Sequence, residues 1–203
     1  MPEQRAIVGN VAPYLRLLRE HQIFGQVPDQ ALKSLVIRSD LLAFLPDELL
    51  LRQNEASDSA LLITEGEVEV FVETAHGPVT LGTVAAGALL GEIGVFAELP
   101  RTASARARGA VEALRMGRDD MLEIGGENLA FLRAVMRHLG ERIAAFNQAM
   151  GFYTDALARL EHQELDPKTL DDEPQPMPEL VDFAYTFRRM VERIGLRRPT
   201  TTK

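Results

Sequence analysis

Between residues 41 and 116 the apolar residues come in short runs that are broken by Gly, Pro, Asn and Asp. This pattern is typical of many short strands in an antiparallel sandwich or barrel. The clearest strand is predicted at 67–72, where valines alternate with glutamates and Phe71 is the exception to the alternation. Five further strands are predicted, at 49–52, 61–64, 80–83, 103–107 and 111–116.

Helical periodicity flanks this region on both sides. Between residues 11 and 35 apolar side chains recur at helical spacing, interrupted near Gly25 and Pro28, which predicts two short helices joined by a turn. After Met116 two acidic residues, Asp119 and Asp120, are placed to cap the next helix. The predicted fold class is therefore α+β: an antiparallel, jelly-roll-like β-roll with N-terminal helices, a long C-terminal helix and a helical tail.

The long helix carries a heptad pattern. Its apolar positions lie at alternating intervals of three and four residues, which indicates a seam for a partner helix. They are Leu129, Leu132, Met136, Leu139, Ile143, Phe146, Met150, Tyr153, Leu157 and Leu160. A homodimer explains the seam, and the alternative is that the helix packs on its own β-roll. Gly140 and Gly151 are expected to bend or interrupt the helix.

Residues 161–178 are acidic and rich in proline, which predicts an extended linker. Pro178 then begins a terminal amphipathic helix, Glu179 to Ile194, with Phe183 and Phe187 on its apolar face. This helix either binds a groove on an effector protein or folds back on its own chain. The expected division is a helical segment (1–37), the β-roll (38–118), helices for a lid and for dimerisation (119–160), and the linker with its helix (161–203).

Composition excludes several classes of function. The net charge of -8 disfavours nonspecific nucleic-acid binding, and a single terminal helix cannot supply a helix-turn-helix, so DNA is not an expected partner. There is no cysteine, and the four histidines are scattered without a catalytic or metal-binding motif. We therefore expect a cytoplasmic protein that is not an enzyme, needs no metal or cofactor and does not enter a membrane.

One short segment carries the chemistry of a binding site. In GEIGVFAELPRTAS, which runs from Gly91 to Ser104, glycines allow a close approach of backbone to a ligand. Glu92 and Arg101 offer opposite charges, and a carboxylate suits a sugar diol whereas a guanidinium suits a phosphate. The alternative from residue types alone is a surface ion pair beside an ordinary turn.

The arrangement of these residues resembles the phosphate-binding cassette of cyclic nucleotide-binding domains, found in kinase regulatory subunits, bacterial activators and gated channels. The places of that pattern are filled here by Gly91, Glu92, Ile93, Gly94, Arg101, Thr102, Ala103 and Ser104. The resemblance also covers AAGALLGE and the hairpin sequence ALLITEGEVEVFV. Asp47 and Asn54 stand where the family commonly has glycine, and both residue types tolerate a left-handed turn.

The resemblance implies that Glu92 accepts a hydrogen bond from the ribose 2′-hydroxyl and that Arg101 pairs with the cyclic phosphate. Backbone amides near Gly91, Gly94 and Thr102 complete the cradle, and Phe146 is a candidate lid over the base. It implies a sensor of cAMP or cGMP that signals through protein contacts. The alternatives are a structural or assembly subunit with a degenerate pocket and, third in order, a transcription regulator of the Crp/Fnr type.

Overall fold

The computed structural model describes residues 3–6, 10–162, 184, 185, 187–189 and 191. Within these ranges the strands are β1 (Glu3–Ala6), β2 (Asp40–Phe44), β3 (Leu49–Leu51), β4 (Ser59–Glu65), β5 (Glu67–Thr74), β6 (Gly77–Ala85), β7 (Leu89–Leu90), β8 (Ser104–Ala107) and β9 (Val111–Gly117). The helices with defined bounds are α1 (Ala12–Glu20), α2 (Asp29–Arg38), α3 (Glu92–Ala97), α4 (Arg118–Glu127) and α5 (Leu129–Glu161).

Two antiparallel sheets form the predicted β-roll. The five-stranded sheet has the order β1-β2-β9-β4-β7, and the four-stranded sheet has the order β3-β8-β5-β6. All six strands that the sequence predicts are present, and β1, β2 and β7 are additions that it did not indicate. Residues 3–6, assigned to the N-terminal helical segment, form an edge strand paired with β2.

The core has two layers because β4 and β9 are covered on both faces. Leu61 and Ile63 point into the space between the sheets, whereas Ala60 and Leu62 face the helices. This double burial explains why β4 is an unbroken apolar run in the sequence and not an alternating one. The helical layer is formed by the two N-terminal helices, α4 and the start of α5, which contributes Phe131.

Phe71 departs from the alternation of β5 for a local reason. The register of β5 against β6 shifts between Val70 and Phe71, so an extra residue enters the ladder at that point. The Phe71 ring is covered by the guanidinium of Arg106, whose Cζ lies 5.2 Å from the ring centroid. A cation–π contact therefore protects an aromatic ring outside the two-sheet core.

Two left-handed turns occur where the sequence has Asp47 and Asn54. Their φ angles are 66° and 69°. Asp and Asn accept this conformation better than most residues, so they replace the glycines of the family pattern without loss of the turn.

Helix α5 is continuous over 33 residues, which corrects the expectation that Gly140 or Gly151 interrupts it. A glycine costs a helix only about 1 kcal/mol, and packing of the flanking turns offsets this. The N-terminus of α5 is capped by Asn128, whose side chain accepts from the amide of Phe131. Asp119 and Asp120 lie in the first turn of α4, but its cap residue is Gly117 without a side-chain bond.

The two halves of α5 pack against different parts of the chain. The first half contributes Phe131 and Val135 to the core of the roll. The second half packs Ala149, Tyr153 and Ala156 against three residues of the terminal segment, and Tyr153 meets the ring of Phe187 edge-on at 5.0 Å. Those three residues are Ala184, Phe187 and Val191. The described part of the predicted terminal helix therefore folds back on α5, whereas the linker at 163–178 lies outside the described residues.

One row of the heptad seam remains on the surface. Its members are spaced by seven residues and are all exposed: Leu129, Met136, Ile143, Met150 and Leu157. The other row is half-buried or buried at four of its five positions, and Phe146 is its exposed member. We call the first set the exposed row of α5. Among the helices of the described chain, none is long and apolar enough to cross a bilayer.

Candidate functional site

The two charged cassette residues converge on one cavity. Glu92 begins α3, directly after Leu90 of β7 and the left-handed Gly91, and Arg101 precedes β8. Both side chains are buried, at 2% and 6% exposure. The volume of the cavity is about 490 Å³ when the open solvent at its mouth is included. Ser104 and Arg142 line this cavity. Every cassette residue that was predicted to bind ligand lines it too: Gly91, Glu92, Ile93, Gly94, Arg101, Thr102 and Ala103.

Both cassette glycines are required by close approach. Gly91 has φ +81°, and a Cβ there would overlap the guanidinium of Arg101. Gly94 has no strained angle, but a Cβ there would overlap the side chain of Ser57. The glycines therefore let the side chains of Arg101 and Ser57 pack against the cassette backbone, and their predicted role in admitting a ligand stays a prediction.

Arg101 is held by the loop that precedes β4. Its amide donates to the carbonyl of Glu55 over 2.9 Å, and its own carbonyl accepts from the amide of Asn54 over 2.9 Å. The guanidinium donates from Nη1 to the Gly91 carbonyl over 3.1 Å and from Nη2 to the Ser59 hydroxyl over 3.4 Å. The two backbone hydrogen bonds fix the main chain of Arg101, and the two side-chain hydrogen bonds fix the position of its guanidinium.

Asp58 is a carboxylate partner that the sequence did not indicate. Its Oδ1 lies 3.5 Å from Nη2 of Arg101, and its Oδ2 lies 2.9 Å from Nη2 of Arg115. Burial raises the pKa of Asp58, but the Ser59 hydroxyl and the two arginines outweigh it and hold that pKa below its usual value. Burial is also the main cause that lowers the pKa of Arg101, and Asp58 opposes it.

Helix α5 approaches the cassette at Glu92. Nη1 of Arg142 lies 3.8 Å from Oε1 of Glu92, and Nε2 of His138 lies 4.0 Å from the same oxygen. Gln22, in the turn after α1, places its amide nitrogen 2.7 Å from Nδ1 of His138. This contact ties the turn after α1 to α5.

A second cavity of about 820 Å³, open solvent included, adjoins the first. Leu90 and Arg142 line both cavities. The wall from the roll is apolar, and α5 and the turn after α1 contribute His138, Glu141 and Gln22. The predicted lid Phe146 is half-exposed and lines neither of these two cavities, whereas Arg142 and Ala145, on the adjacent turn of α5, line the second. A lid role for Phe146 stays a prediction.

Within the described residues, no group of three or more His, Cys, Asp or Glu is arranged to hold a metal ion.

The chemistry of the first cavity is that of an anion site with one carboxylate beside it. Arg101 supplies a planar fork of donors, and Glu92 supplies acceptors about nine residues earlier on the same cassette. This combination suits a ligand that carries both a negative charge and hydroxyl donors.

Comparison with known proteins agrees with this geometry. Residues 41–128 match the family model described as "Cyclic nucleotide-binding domain". Residues 41–128 belong to that family. The matched segment contains the whole cassette and the loop that holds Arg101, whereas all of α5, with Arg142, lies beyond it.

Relatives of this cyclic nucleotide-binding domain occur in larger proteins. The rice potassium channel AKT3 (Oryza sativa subsp. japonica) is 29% identical over 142 residues, which is 66% of this chain and 16% of the channel. A cAMP-dependent protein kinase regulatory subunit from Emericella nidulans is 30% identical over 87 residues, 43% of this chain and 21% of the subunit. The chain thus spans only 15–16% of the length of the potassium channels AKT3 and AKT1 from rice.

Solved structures share the fold of the domain. The sensor domain of the transcriptional regulator DNR from Pseudomonas aeruginosa superposes with a TM-score of 0.60 at 22% identity. The match covers 64% of this chain and 88% of that one. At this identity the likeness concerns the fold alone.

Proposed function

We propose that the chain is a sensor that binds a cyclic nucleotide, cAMP or cGMP, and signals through protein contacts. The observation that carries the proposal is the convergence of Glu92 and Arg101, both buried, on one cavity. The lining glycines Gly91 and Gly94 stand where a Cβ would overlap neighbouring side chains. In this proposal Arg101 pairs with the cyclic phosphate, and Glu92 accepts from the ribose 2′-hydroxyl. Thr102 is exposed and follows Arg101 in the chain, and in this proposal its hydroxyl contacts the purine base.

The proposed division of labour follows the chain. Residues 1–37 support the roll, 38–118 hold the ligand, and 119–160 provide the lid and dimerisation helices. The exposed row of α5 supports a homodimer, because five apolar side chains repeat at the coiled-coil period. Residues 161–203 would link the domain to the protein that it contacts. From composition we also propose a cytoplasmic location.

A second candidate is a structural or assembly subunit whose pocket stays empty. It is favoured by the existing partners of Arg101, since Gly91, Ser59 and Asp58 already contact its guanidinium. A ligand phosphate would share or replace these contacts. In this candidate the exposed row of α5 serves assembly regardless of any nucleotide.

Calorimetric titration of the full chain with cAMP, cGMP and cyclic di-GMP separates the two candidates. A sensor is expected to bind cAMP or cGMP with one site per chain and with a measurable heat. Absence of binding to all three nucleotides, with the protein folded by circular dichroism, would overturn the sensor and favour the empty subunit. Binding of cyclic di-GMP alone would contradict the proposed ligand class.

A further inference from the structure

We infer that the face of α5 beneath the terminal segment is a further interaction surface, and that its second occupant is the α5 helix of another copy of this chain. We call it the covered face of α5, and its residues are Ala149, Tyr153, Ala156 and Leu160. The terminal segment, described at 184, 185, 187–189 and 191, occupies this face and so competes with the second copy. The inference rests on the proposed homodimer and goes beyond it, because it names what limits the dimer contact.

The heptad pattern of α5 places the covered face in the predicted seam. Beside the exposed row runs a second row, three residues later in each repeat. Its members are Leu132, Leu139, Phe146, Tyr153 and Leu160. A two-stranded coiled coil buries both rows in one seam, because each apolar side chain fits between four residues of the facing helix. The exposed row alone is therefore only half of such a seam.

Two different parts of the chain cover the second row. In the first half of α5, Leu132 lies against Gly125 of α4, and Leu139 packs on the core of the roll. In the second half, Tyr153 and Leu160 pack in the cluster that contains the terminal segment. Phe146 lies between the two covers and is 49% exposed. Only the cover of the second half can leave without opening the core of the domain.

That cover depends on one aromatic contact. The rings of Tyr153 and Phe187 meet edge-on at 5.0 Å, and the two residues are 4% and 5% exposed. Met150 and Leu157 of the exposed row stand three residues before and four residues after Tyr153, and they are 47% and 49% exposed. A helix that binds the exposed row therefore meets the docked terminal segment where it would otherwise reach Tyr153.

The connection to the terminal segment is long. Twenty-one residues, 163–183, separate His162 from Ala184. Neighbouring helices in bundles are usually joined by about 2–8 residues. A longer connection lowers the effective concentration of the segment at its docking face, to the order of millimolar or below. Docking is therefore an equilibrium within one chain, and a second copy can compete with it.

The competition has a simple arithmetic. The second copy reaches the covered face only in chains that have released the terminal segment. Both chains of a dimer must be released, so the apparent dissociation constant of the full seam is the intrinsic one divided by the square of the released fraction. A rise of about threefold in that fraction thus tightens the dimer about tenfold.

The test is sedimentation equilibrium of the full chain, over a range of concentrations, for the wild type, Phe187→Ala and Tyr185→Ala. Phe187→Ala removes the ring that covers Tyr153, and the dimer is expected to tighten about tenfold or more. Tyr185→Ala is the matched control, because Tyr185 lies in the same segment, is 62% exposed and is not part of the cluster that covers α5. Its dimer affinity is expected to stay within about twofold of the wild type, as for most surface substitutions.

A double variant tests whether the second copy reaches the covered face. Phe187→Ala combined with Tyr153→Ala is compared with Phe187→Ala alone. If the partner's helix packs on Tyr153, loss of that ring is expected to weaken the dimer about tenfold, because buried tyrosines contribute strongly to interfaces. Alanine favours the helix, and circular dichroism verifies that α5 is retained.

Each result decides the inference. A dimer that is unchanged or weaker in Phe187→Ala would overturn it and leave the homodimer in place. Equal dimer affinities with and without Tyr153 would do the same, since the partner would then not use the covered face. Association of Phe187→Ala beyond two chains would also overturn it, because a bare apolar patch would explain that behaviour. Monomers in every variant at high concentration would overturn the proposed homodimer and the inference together.

Discussion

Arg101 donates from Nη1 to the carbonyl oxygen of Gly91 over 3.1 Å, so the last part of the cassette is tied to its first residue. The bond joins two residues that are ten positions apart, on either side of α3, and it holds a buried guanidinium against the start of that helix. A change at either residue is therefore expected to disturb the other.

Replacement of Arg101 by alanine should remove nucleotide binding while the fold survives. The ligand phosphate would lose a fork of charged donors, and a loss of about hundredfold or more in affinity is expected. Arg106→Ala is the matched control, since Arg106 covers Phe71 and lies outside the cavity. Calorimetry gives the affinity and thermal unfolding reports the fold. Wild-type affinity in Arg101→Ala would contradict the proposed phosphate contact.

Replacement of Gly91 by alanine should cost both stability and affinity. Gly91 and Gly77 both have positive φ, +81° and +110°, so alanine is strained at either position. At Gly77 a Cβ would meet nothing within 4 Å, whereas at Gly91 it would overlap Arg101. Gly77→Ala is expected to lose about 1–2 kcal/mol in the free energy of unfolding and no affinity. Gly91→Ala should lose more stability and weaken binding about tenfold or more. Equal unfolding energies for the two variants would count against the overlap.

Stability should fall as the pH is lowered from about 6.5 to about 4. Burial, with a smaller contribution from His138, lowers the pKa of His21 from 6.5 to about 4. Between these values the unfolded chain binds a proton that the folded chain does not, so the unfolded state gains as the pH falls. The expected loss is about 2 kcal/mol, discounted for partial contact with solvent.

His21→Asn should flatten this pH profile, because asparagine does not titrate and can still accept a hydrogen bond from the amide of Ile23, as Nδ1 does now. Urea unfolding at pH 7, 6 and 5 measures the slope. His76→Asn is the control, since His76 is exposed, and it should keep the wild-type slope. A variant His21→Asn that loses stability between pH 7 and 5 as the wild type does would refute the assignment to His21.

Ile143→Glu should convert the proposed dimer to a monomer. Ile143 lies in the middle of the exposed row of α5 and is 61% exposed, so a charge there is harmless to the single chain but costly inside a coiled-coil seam. Sedimentation velocity measures the change, with Gln148→Glu, an exposed position off the row, as the control. A wild type that sediments as a monomer at high concentration would rule out the dimer, and an Ile143→Glu dimer would place the interface elsewhere.

The local elements were predictable where side-chain periodicity reports burial. The alternation in β5 and the breaks near Gly25 and Pro28 mark a strand and a helical pair whose positions are confirmed. By contrast, β2 follows α2 after Ser39 alone, without glycine or proline to separate them, and β7 has only two residues. Such strands exist because of pairing with distant strands, and single-sequence patterns do not contain that information.

The residues of the site also fall into those that the sequence predicted and those that it did not predict. The cassette residues predicted to bind ligand lie close together in the chain, so their spacing predicted a shared site, and all of these predicted residues line the cavity. Asp58 and Arg142 reach the site from a loop and from α5, 43 residues before and 41 residues after Arg101. No spacing rule links residues so far apart, and only tertiary packing brings them together.

The contact between the terminal segment and α5 has a practical consequence. Phe187 and Val191 cover Ala149, Tyr153 and Ala156, which are otherwise part of a solvent-facing helix surface. A shortened version of the chain ending at residue 162 would present this aromatic and alanine patch bare. Its aggregation would then reflect a missing cover, so assembly state should be measured only on chains that retain the last helix.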